Sequence, residues 1–209
     1  MCGIAGMMTL SGAAPEAATL QALQRALAHR GPDGQGEHRA DGLGMVHTRL
    51  AIIDLKTGDQ PLHAPGGAAL IANGEIYNYL ELRAAMPNVP FATQSDCEPA
   101  LPLYQQNGSR FAERLRGMYA VALHDPHREH LLLARDPFGI KPLYYTETGA
   151  GLAFASEPQA LIAAGLATPK VAPRARDELL QLQFTTGRET IFAGINRVLP
   201  GETLVVGKG

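Results

Sequence analysis

The chain begins "MCGIAG" at residues 1–6, so a cysteine directly follows the first methionine. The apolar run continues as "GIAGMMTL" through residues 3–10, which predicts a strand buried on both faces. Cys2 has two interpretations at this position. It starts a buried strand and nothing more, or Met1 is removed and Cys2 then carries both a thiol and the free α-amine of the chain.

The second interpretation gives the thiol a base on its own residue. A cysteine thiol has an ordinary pKa of about 8.5 and is mostly protonated at neutral pH, so it needs a base to become a nucleophile. An α-amine has an ordinary pKa of about 7.7–8.0 and accepts a proton at physiological pH. Gly3 has no side chain, and we expect this to let a substrate approach the chain end closely.

Composition restricts the class of protein. The 209 residues include 45% hydrophobic and 18% charged residues, which is typical of a folded domain. The formal net charge is -2 and the basic residues are scattered, so we expect neither nucleic acid nor a membrane surface as a partner. No apolar run approaches the roughly 20 residues of a membrane span, and the N-terminus lacks a signal-peptide pattern. These features favour a cytoplasmic protein.

Cysteine and histidine usage gives no metal site. The two cysteines, Cys2 and Cys97, form no CxxC motif, and the seven histidines show no metal-ligand spacing. Two distant cysteines also fit a reducing compartment better than a disulfide framework. We therefore predict no metal, and we interpret Cys97 as a small buried hydrophobic residue with an inert thiol.

Hydrophobic periodicity predicts a mixture of helices and strands without a dividing linker. Helices are predicted from Pro15 to a stop at "HRGPDG" (29–34), at 79–86, over 97–106, at 157–165 and around 176–183. Strands are predicted at 3–10, 44–54, 68–74, 117–125, 129–136, 141–147 and 151–156, with a final hairpin at 195–207. Strands grouped between helices favour a single α+β layered domain over residues 1–209 rather than a parallel βαβ array.

Six polar or glycine-rich stretches occur in order: "CGIAG" (2–6), "HRGPDG" (29–34), "RLAIIDL" (49–55), "NGEIYNY" (73–79), "SDCE" (95–98) and "RDPFGIKPLYY" (135–145). Together they resemble the glutaminase domain of the class II, N-terminal-nucleophile glutamine amidotransferases, and more narrowly that of glutamine-hydrolysing asparagine synthetase. The resemblance runs from Cys2 to about Leu204. It implies a four-layer αββα sandwich and hydrolysis of L-glutamine to L-glutamate and ammonia through a Cys2 thioester.

The "NGE" motif offers donors for the oxyanion that forms when a thiolate attacks an amide. The candidates are the side-chain NH₂ of Asn73 and the backbone N–H of Gly74, where a glycine would let the oxyanion come close. The resemblance assigns the role to the same two positions. The alternative is an ordinary Asn-Gly turn between two strands.

A free amino acid also needs partners for its α-carboxylate and α-ammonium. Arginine binds a carboxylate through a planar fork, and the resemblance gives this role to Arg49. It gives the ammonium to Asp96, with Glu75 as a second acidic contact. It lines the pocket with the chain after the arginine, namely Leu50, Ile52 and Ile53. Taken alone, Arg49 or Asp96 would more often form a surface ion pair.

The remaining two motifs are interpreted as loop and scaffold elements around the pocket. In "HRGPDG" and "RDPFGIKPLYY" we expect Arg30, Asp33, Arg135 and Asp136 to fix loops through ion pairs rather than to act in catalysis.

The ATP-binding synthetase domain of the family is missing from these residues, because no "SGGxDS"-type pyrophosphate loop occurs. The chain is either an excised domain or a short gene product that works beside a separate synthetase, and we expect the excised domain. In both cases glutamine hydrolysis needs no cofactor, with ATP and Mg²⁺ required only by a synthetase domain or subunit as its partner. The acceptor, aspartate or a sugar or peptide intermediate, stays open, as does a homodimer. An alternative function is a glutamine-sensing or partner-gating module, which would keep Arg49, Asp96 and Glu75 and tolerate loss of Cys2.

Overall fold

Eleven strands form two antiparallel sheets within residues 1–207, the part of the chain that the computed structural model describes. The strands are β1 (Gly3–Thr9), β2 (Gly34–Ala40), β3 (Leu43–Arg49), β4 (Leu62–His63), β5 (Ala69–Ile76), β6 (Gly117–Asp125), β7 (His130–Arg135), β8 (Tyr144–Thr148), β9 (Gly151–Ala155), β10 (Ile195–Arg197) and β11 (Thr203–Gly207). The first sheet has the order β10-β8-β9-β1-β3-β2, and the second has the order β11-β7-β6-β5-β4. The two sheets stack through a shared apolar core that includes Ile4, Met45, Ile71, Leu133 and Phe154.

Four helices cover the outer faces of the two sheets. Within residues 1–207 the helices are α1 (Ala17–Leu27), α2 (Tyr79–Ala85), α3 (Ala100–Asn107), α4 (Pro158–Ala163) and α5 (Pro173–Leu182), and α5 buries only Ala175. The predicted stripe Leu20, Leu23 and Leu27 is fully buried and packs α1, together with α4, on the first sheet. Helices α2 and α3 pack on the second sheet. The predicted αββα sandwich is therefore confirmed. Within residues 1–207, no helix combines the length and the apolar character needed to cross a bilayer.

The first strand is central in its sheet, between β3 and β9, and this position explains Gly3. Gly3 pairs with Thr48 of β3, so Cys2 enters the sheet beside the end of β3. A Cβ on Gly3 would lie 2.6 Å from Thr48 Oγ1 and 3.0 Å from the Cβ of Leu27. The glycine is therefore required for packing between β3 and α1, whereas the sequence suggested substrate access as the reason.

Three predictions of secondary structure were wrong. The strand predicted at 44–54 ends at Arg49, because the chain leaves the sheet there and forms a loop. Strand β2 was missed because it is a sheet edge of polar and glycine residues that alternate between partial burial and exposure. The predicted hairpin at 195–207 does not form, because β10 pairs with β8 in the first sheet and β11 pairs with β7 in the second.

Candidate active site

A cavity of about 60 Å³ lies where the start of β1, the end of β3 and the middle of β5 meet. All nine residues that were predicted from the sequence for the site line this cavity: Cys2, Arg49, Leu50, Ile52, Ile53, Asn73, Gly74, Glu75 and Asp96. They come from four separate segments of the chain, so only the fold brings them together. In residues 1–207 no group of three His, Cys, Asp or Glu side chains is arranged to hold a metal ion.

The thiol of Cys2 lies against the backbone of Leu50. Its Sγ is 3.4 Å from the Leu50 N–H nitrogen, from which it accepts, and 3.6 Å from the Leu50 carbonyl oxygen, to which it can donate. Met1 forms part of the cavity wall at its rim, where its Sδ lies 3.7 Å from Lys141 Nζ. Loss of Met1 would therefore free the α-amine of Cys2 and also widen the cavity.

Arg30 lies behind the nucleophile, and the ion pair predicted for it forms with Glu157. Its buried guanidinium donates from Nε to the Cys2 carbonyl at 2.9 Å and from Nη1 to Glu157 at 2.6 Å. With the Asn73 amide oriented so that both of its ends are satisfied, Arg30 Nη2 also donates to Asn73 Oδ1 at 3.3 Å. Asn73 Nδ2 then donates to the Cys2 carbonyl at 3.2 Å. One guanidinium thus joins the Cys2 carbonyl and the Asn73 side chain to Glu157.

Glu157, just before α4, anchors this arginine. Its carboxylate also lies 3.2 Å from Nε2 of His29. Burial alone would raise the pKa of Glu157, but the hydrogen bonds from Arg30 and His29 outweigh it and lower this pKa. Glu157 therefore stays ionised at neutral pH and keeps Arg30 in place.

Gly74 lies inside β5, which extends the strand predicted at 68–74 and excludes the alternative of an Asn-Gly turn. The N–H groups of Ala72 and Ile76 point away from β6, since they donate to Gln60 Oε1 at 2.6 Å and to Asp96 Oδ2 at 2.7 Å. Alternate residues of a strand direct their N–H groups to the same edge, so the Gly74 N–H points into the cavity between these two side chains.

The absence of a side chain at position 74 has a packing reason. A Cβ on Gly74 would lie 2.5 Å from the carbonyl oxygen of Met118 and 2.7 Å from the Cα of Tyr119. Both atoms belong to the backbone of β6, which cannot move aside as a side chain can. The glycine therefore allows β5 and β6 to pair closely, which the sequence-based argument about access to the oxyanion did not include.

Arg49 ends β3 and is wrapped by the loop that follows it. Its Nη1 pairs with Asp59 at 2.7 Å, and its Nη2 donates to the carbonyls of Ile53 at 3.4 Å and Asp54 at 2.5 Å. Asp33 supports the loop by accepting from the Ala51 N–H at 2.8 Å. The side chain of Asp59 is 81% exposed, so this ion pair is weak and replaceable by another carboxylate.

Asp96 lies opposite, at the edge of β5. Burial raises its pKa and the nearby Glu75 raises it further, while the hydrogen bond from Ile76 partly offsets both. Cys97 Sγ lies 3.8 Å from Asp96 Oδ2. Burial, followed by the Asp96 charge, raises the pKa of Cys97 well above its usual range, so its thiol stays protonated. Cys97 is buried as predicted, but it also lines the cavity, which the sequence did not indicate.

The "RDPFGIKPLYY" motif shapes one wall of the cavity. Arg135 donates to the carbonyls of Gly139, Lys141 and Val198, and Asp136 accepts from the N–H of Lys141 at 3.0 Å. These residues fix the loop, as predicted, through backbone hydrogen bonds rather than ion pairs. The loop presents Lys141 to the cavity, and the sequence-based site had omitted this residue.

Two stacked antiparallel sheets between helices form a four-layer αββα sandwich. The glutamine phosphoribosylpyrophosphate amidotransferase of B. subtilis has this fold: its structure superposes with a TM-score of 0.70 and 22% identity, over 99% of this chain and 47% of that one. The sequence matches the family described as "Glutamine amidotransferase domain" over residues 1–209. The chain belongs to this family.

Two curated relatives give a more specific comparison than the family does. Asparagine synthetase [glutamine-hydrolyzing] 2 of Bacillus subtilis is 41% identical over 165 residues, which cover 77% of this chain and 22% of the relative. Amidase chry2 of Gibberella zeae is 36% identical over 220 residues, which cover 98% of this chain and 32% of the relative. The chain thus spans about a fifth to a third of the length of these relatives.

Proposed function

We propose that this domain hydrolyses L-glutamine to L-glutamate and ammonia at Cys2, once Met1 has been removed. The observation that supports this most is the convergence of a thiol, two oxyanion donors, an arginine and a buried aspartate on one cavity. These are the groups that attack on the side-chain amide of a free amino acid requires.

The reaction proceeds by two acyl transfers. The α-amine of Cys2 takes the thiol proton, and Sγ attacks the amide carbon of glutamine. The Asn73 Nδ2 and Gly74 N–H groups donate to the resulting oxyanion. The C–N bond then breaks as the α-ammonium of Cys2 returns the proton to the leaving ammonia, which leaves a thioester. Water attacks the thioester, the amine accepts a proton from it, and glutamate leaves as the thiol reforms.

Substrate binding uses the two ends of the cavity. The α-carboxylate of glutamine takes the place of Asp59 on Arg49, with the backbone of Leu50 and the residues Ile52 and Ile53 around it. The α-ammonium pairs with Asp96, with Glu75 as the second acidic contact. A bound ammonium also stabilises the ionised form of Asp96, whose pKa burial otherwise raises.

The ammonia supplies an ATP-dependent amidation of the asparagine synthetase type. The similarity to the synthetase of Bacillus subtilis supports this partner. In this proposal residues 1–209 act as one cytoplasmic glutaminase domain that needs no cofactor, and ATP and Mg²⁺ act only in a synthetase domain or subunit. The amidase relative supports a different acceptor, so the asparagine branch needs its own test.

Glutamate release from L-glutamine, measured for the wild type and for Cys2→Ala, tests the glutaminase proposal. We expect release by the wild type and none by Cys2→Ala, with glutamine binding retained in the variant. Intact mass after incubation with a glutamine-analogue chloroketone should show one adduct on a chain that lacks Met1, mapped to Cys2. Cys97→Ala is the matched control and should label normally. Wild-type protein that binds glutamine without releasing glutamate would instead support the sensing module.

A further inference from the structure

His47 is a buried histidine that the reaction above does not use. It lies in β3, two residues before Arg49, and is 1% exposed. Its Nε2 lies 3.2 Å from the carbonyl oxygen of Ala72 in β5. A carbonyl oxygen only accepts hydrogen bonds, so Nε2 carries the proton and the imidazole donates. The bond therefore joins the first sheet to the second beside the active site.

Ala72 directly precedes the two oxyanion donors, at a point where β5 has lost its neighbour on one side. Strand β4 is only two residues long and pairs with β5 no further than Leu70. Side chains take over beyond it: Gln60 Oε1 accepts from the Ala72 N–H at 2.6 Å, and His47 donates to the Ala72 carbonyl. These two side chains make the hydrogen bonds that a neighbouring strand would otherwise make at this edge of β5.

The two ends of the His47 bond are not equally fixed. His47 pairs with Ile4 of β1 on one side and with Gly36 of β2 on the other, so β3 is held by ladders at both edges. At Ala72, β5 has a ladder only with β6. Burial, with a further effect of the Arg49 charge, lowers the pKa of His47 to about 4, so the ring is neutral at neutral pH. Loss of the bond would therefore loosen the free edge of β5 at Ala72 and leave β3 in place.

We propose that His47 is a positioning residue for glutamine hydrolysis: its Nε2–H holds the Ala72 carbonyl and thereby places the Asn73 amide and the Gly74 N–H against Cys2. This inference rests on the proposed glutaminase function. His47 touches neither the substrate nor the nucleophile in this role. Because the oxyanion exists only after attack, the effect falls on kcat, whereas Arg49 and Asp96 keep KM close to its wild-type value.

Two isosteric variants separate this role from a general structural one. In His47→Gln the side-chain amide nitrogen occupies the position of Nε2 and can donate to Ala72, whereas in His47→Asn it occupies the position of Nδ1 and cannot. We expect His47→Asn to lower kcat about 30-fold with KM within about threefold, since complete loss of one oxyanion donor lowers kcat by about 10²–10³. His47→Gln should restore kcat to within about threefold of the wild type.

Alkylation of Cys2 by iodoacetamide should proceed equally fast in all three proteins, because it forms no oxyanion. Equal kcat values for His47→Asn and the wild type, or equal losses in both variants, would overturn the proposal. Equal losses in both variants would instead indicate that His47 acts as a base, because glutamine cannot accept a proton in place of histidine.

The wild type provides a test that needs no variant to fold. The ¹⁵N shifts of the His47 ring should show a protonated Nε2 and a bare Nδ1, and the opposite tautomer would overturn the proposal. If the wild type released no glutamate, the proposed function would fail by itself, while the tautomer would still report on the contact with Ala72.

Discussion

Replacement of Arg30 is the sharpest test of how the nucleophile is held. One buried guanidinium donates from three different nitrogens to three acceptors: the Cys2 carbonyl, Glu157 and Asn73. Arg30→Ala leaves the first and last of these without a charged donor. Hydrogen bonds that involve a charged group contribute about 1.5–3 kcal/mol each, so we expect a loss of about 3 kcal/mol or more in the free energy of unfolding.

The kinetic effect of Arg30→Ala follows from the same contacts. The arginine fixes the backbone of Cys2 relative to the Asn73 amide, and a displacement of about 1 Å in an active site lowers the rate about 10²-fold. We therefore expect kcat for glutamate release to fall by about 10²-fold. For Arg30→Lys we expect kcat to fall at least about tenfold, because a single ammonium cannot reproduce the planar guanidinium that reaches three acceptors.

Glutamate release and urea unfolding, measured side by side, test this reasoning. Arg110→Ala is the matched control, because it removes an arginine whose ion pair with Glu113 is exposed, and it should change neither measurement appreciably. The reasoning would be refuted if Arg30→Lys kept kcat within about threefold of the wild type. It would also be refuted if Arg30→Ala unfolded at the same urea concentration as Arg110→Ala.

Two further predictions concern β5 and its edge. Gly74→Ala should lower kcat by about 10²-fold and lower the thermal midpoint of unfolding, because the new Cβ would press on the β6 backbone. A variant as active as the wild type would show that β5 and β6 can move apart without loss of activity. The KM for glutamine should rise as pH falls, since protonation of Asp96 removes the partner of the α-ammonium. Because the pKa of Asp96 is raised, this rise should begin at a higher pH than an ordinary aspartate with a pKa of about 3.9 would give. A KM that does not change with pH down to about 4 would contradict this role of Asp96. Asp96→Asn is the control, and its KM should be high at every pH.

The sequence predicted residues that line the cavity, because their motifs resemble those of a known family and each residue type suits a specific task. Cys2, Arg49, Asn73 and Asp96 were predicted in this way, and all four line the cavity, while their roles stay predictions. An ion pair was predicted for Arg30, but its partners were not, because these acceptors are 28 and 127 residues away and only the fold brings them close. The sequence gave His47 no role, because its contact with Ala72 joins residues 25 positions apart that only the fold brings together.

Packing and topology were harder to predict than chemistry. Gly3 and Gly74 were correctly singled out, but the atoms that exclude a Cβ belong to other strands and to a helix, which no local pattern reveals. A Pro-Gly turn such as Pro200–Gly201 is equally compatible with a hairpin and with a crossing between sheets. Pairing with β8 and β7 decides between them, and these partners lie far away in sequence.

The pairing of Arg49 with Asp59 means that the site contains its own competitor for the substrate carboxylate. A carboxylate from the chain neutralises the guanidinium before any substrate arrives, so glutamine must exchange one anion for another. The measured affinity would then report a difference between two similar ion pairs instead of the full strength of one. Such an exchange favours fast release of the amino acid product, which carries the same α-carboxylate.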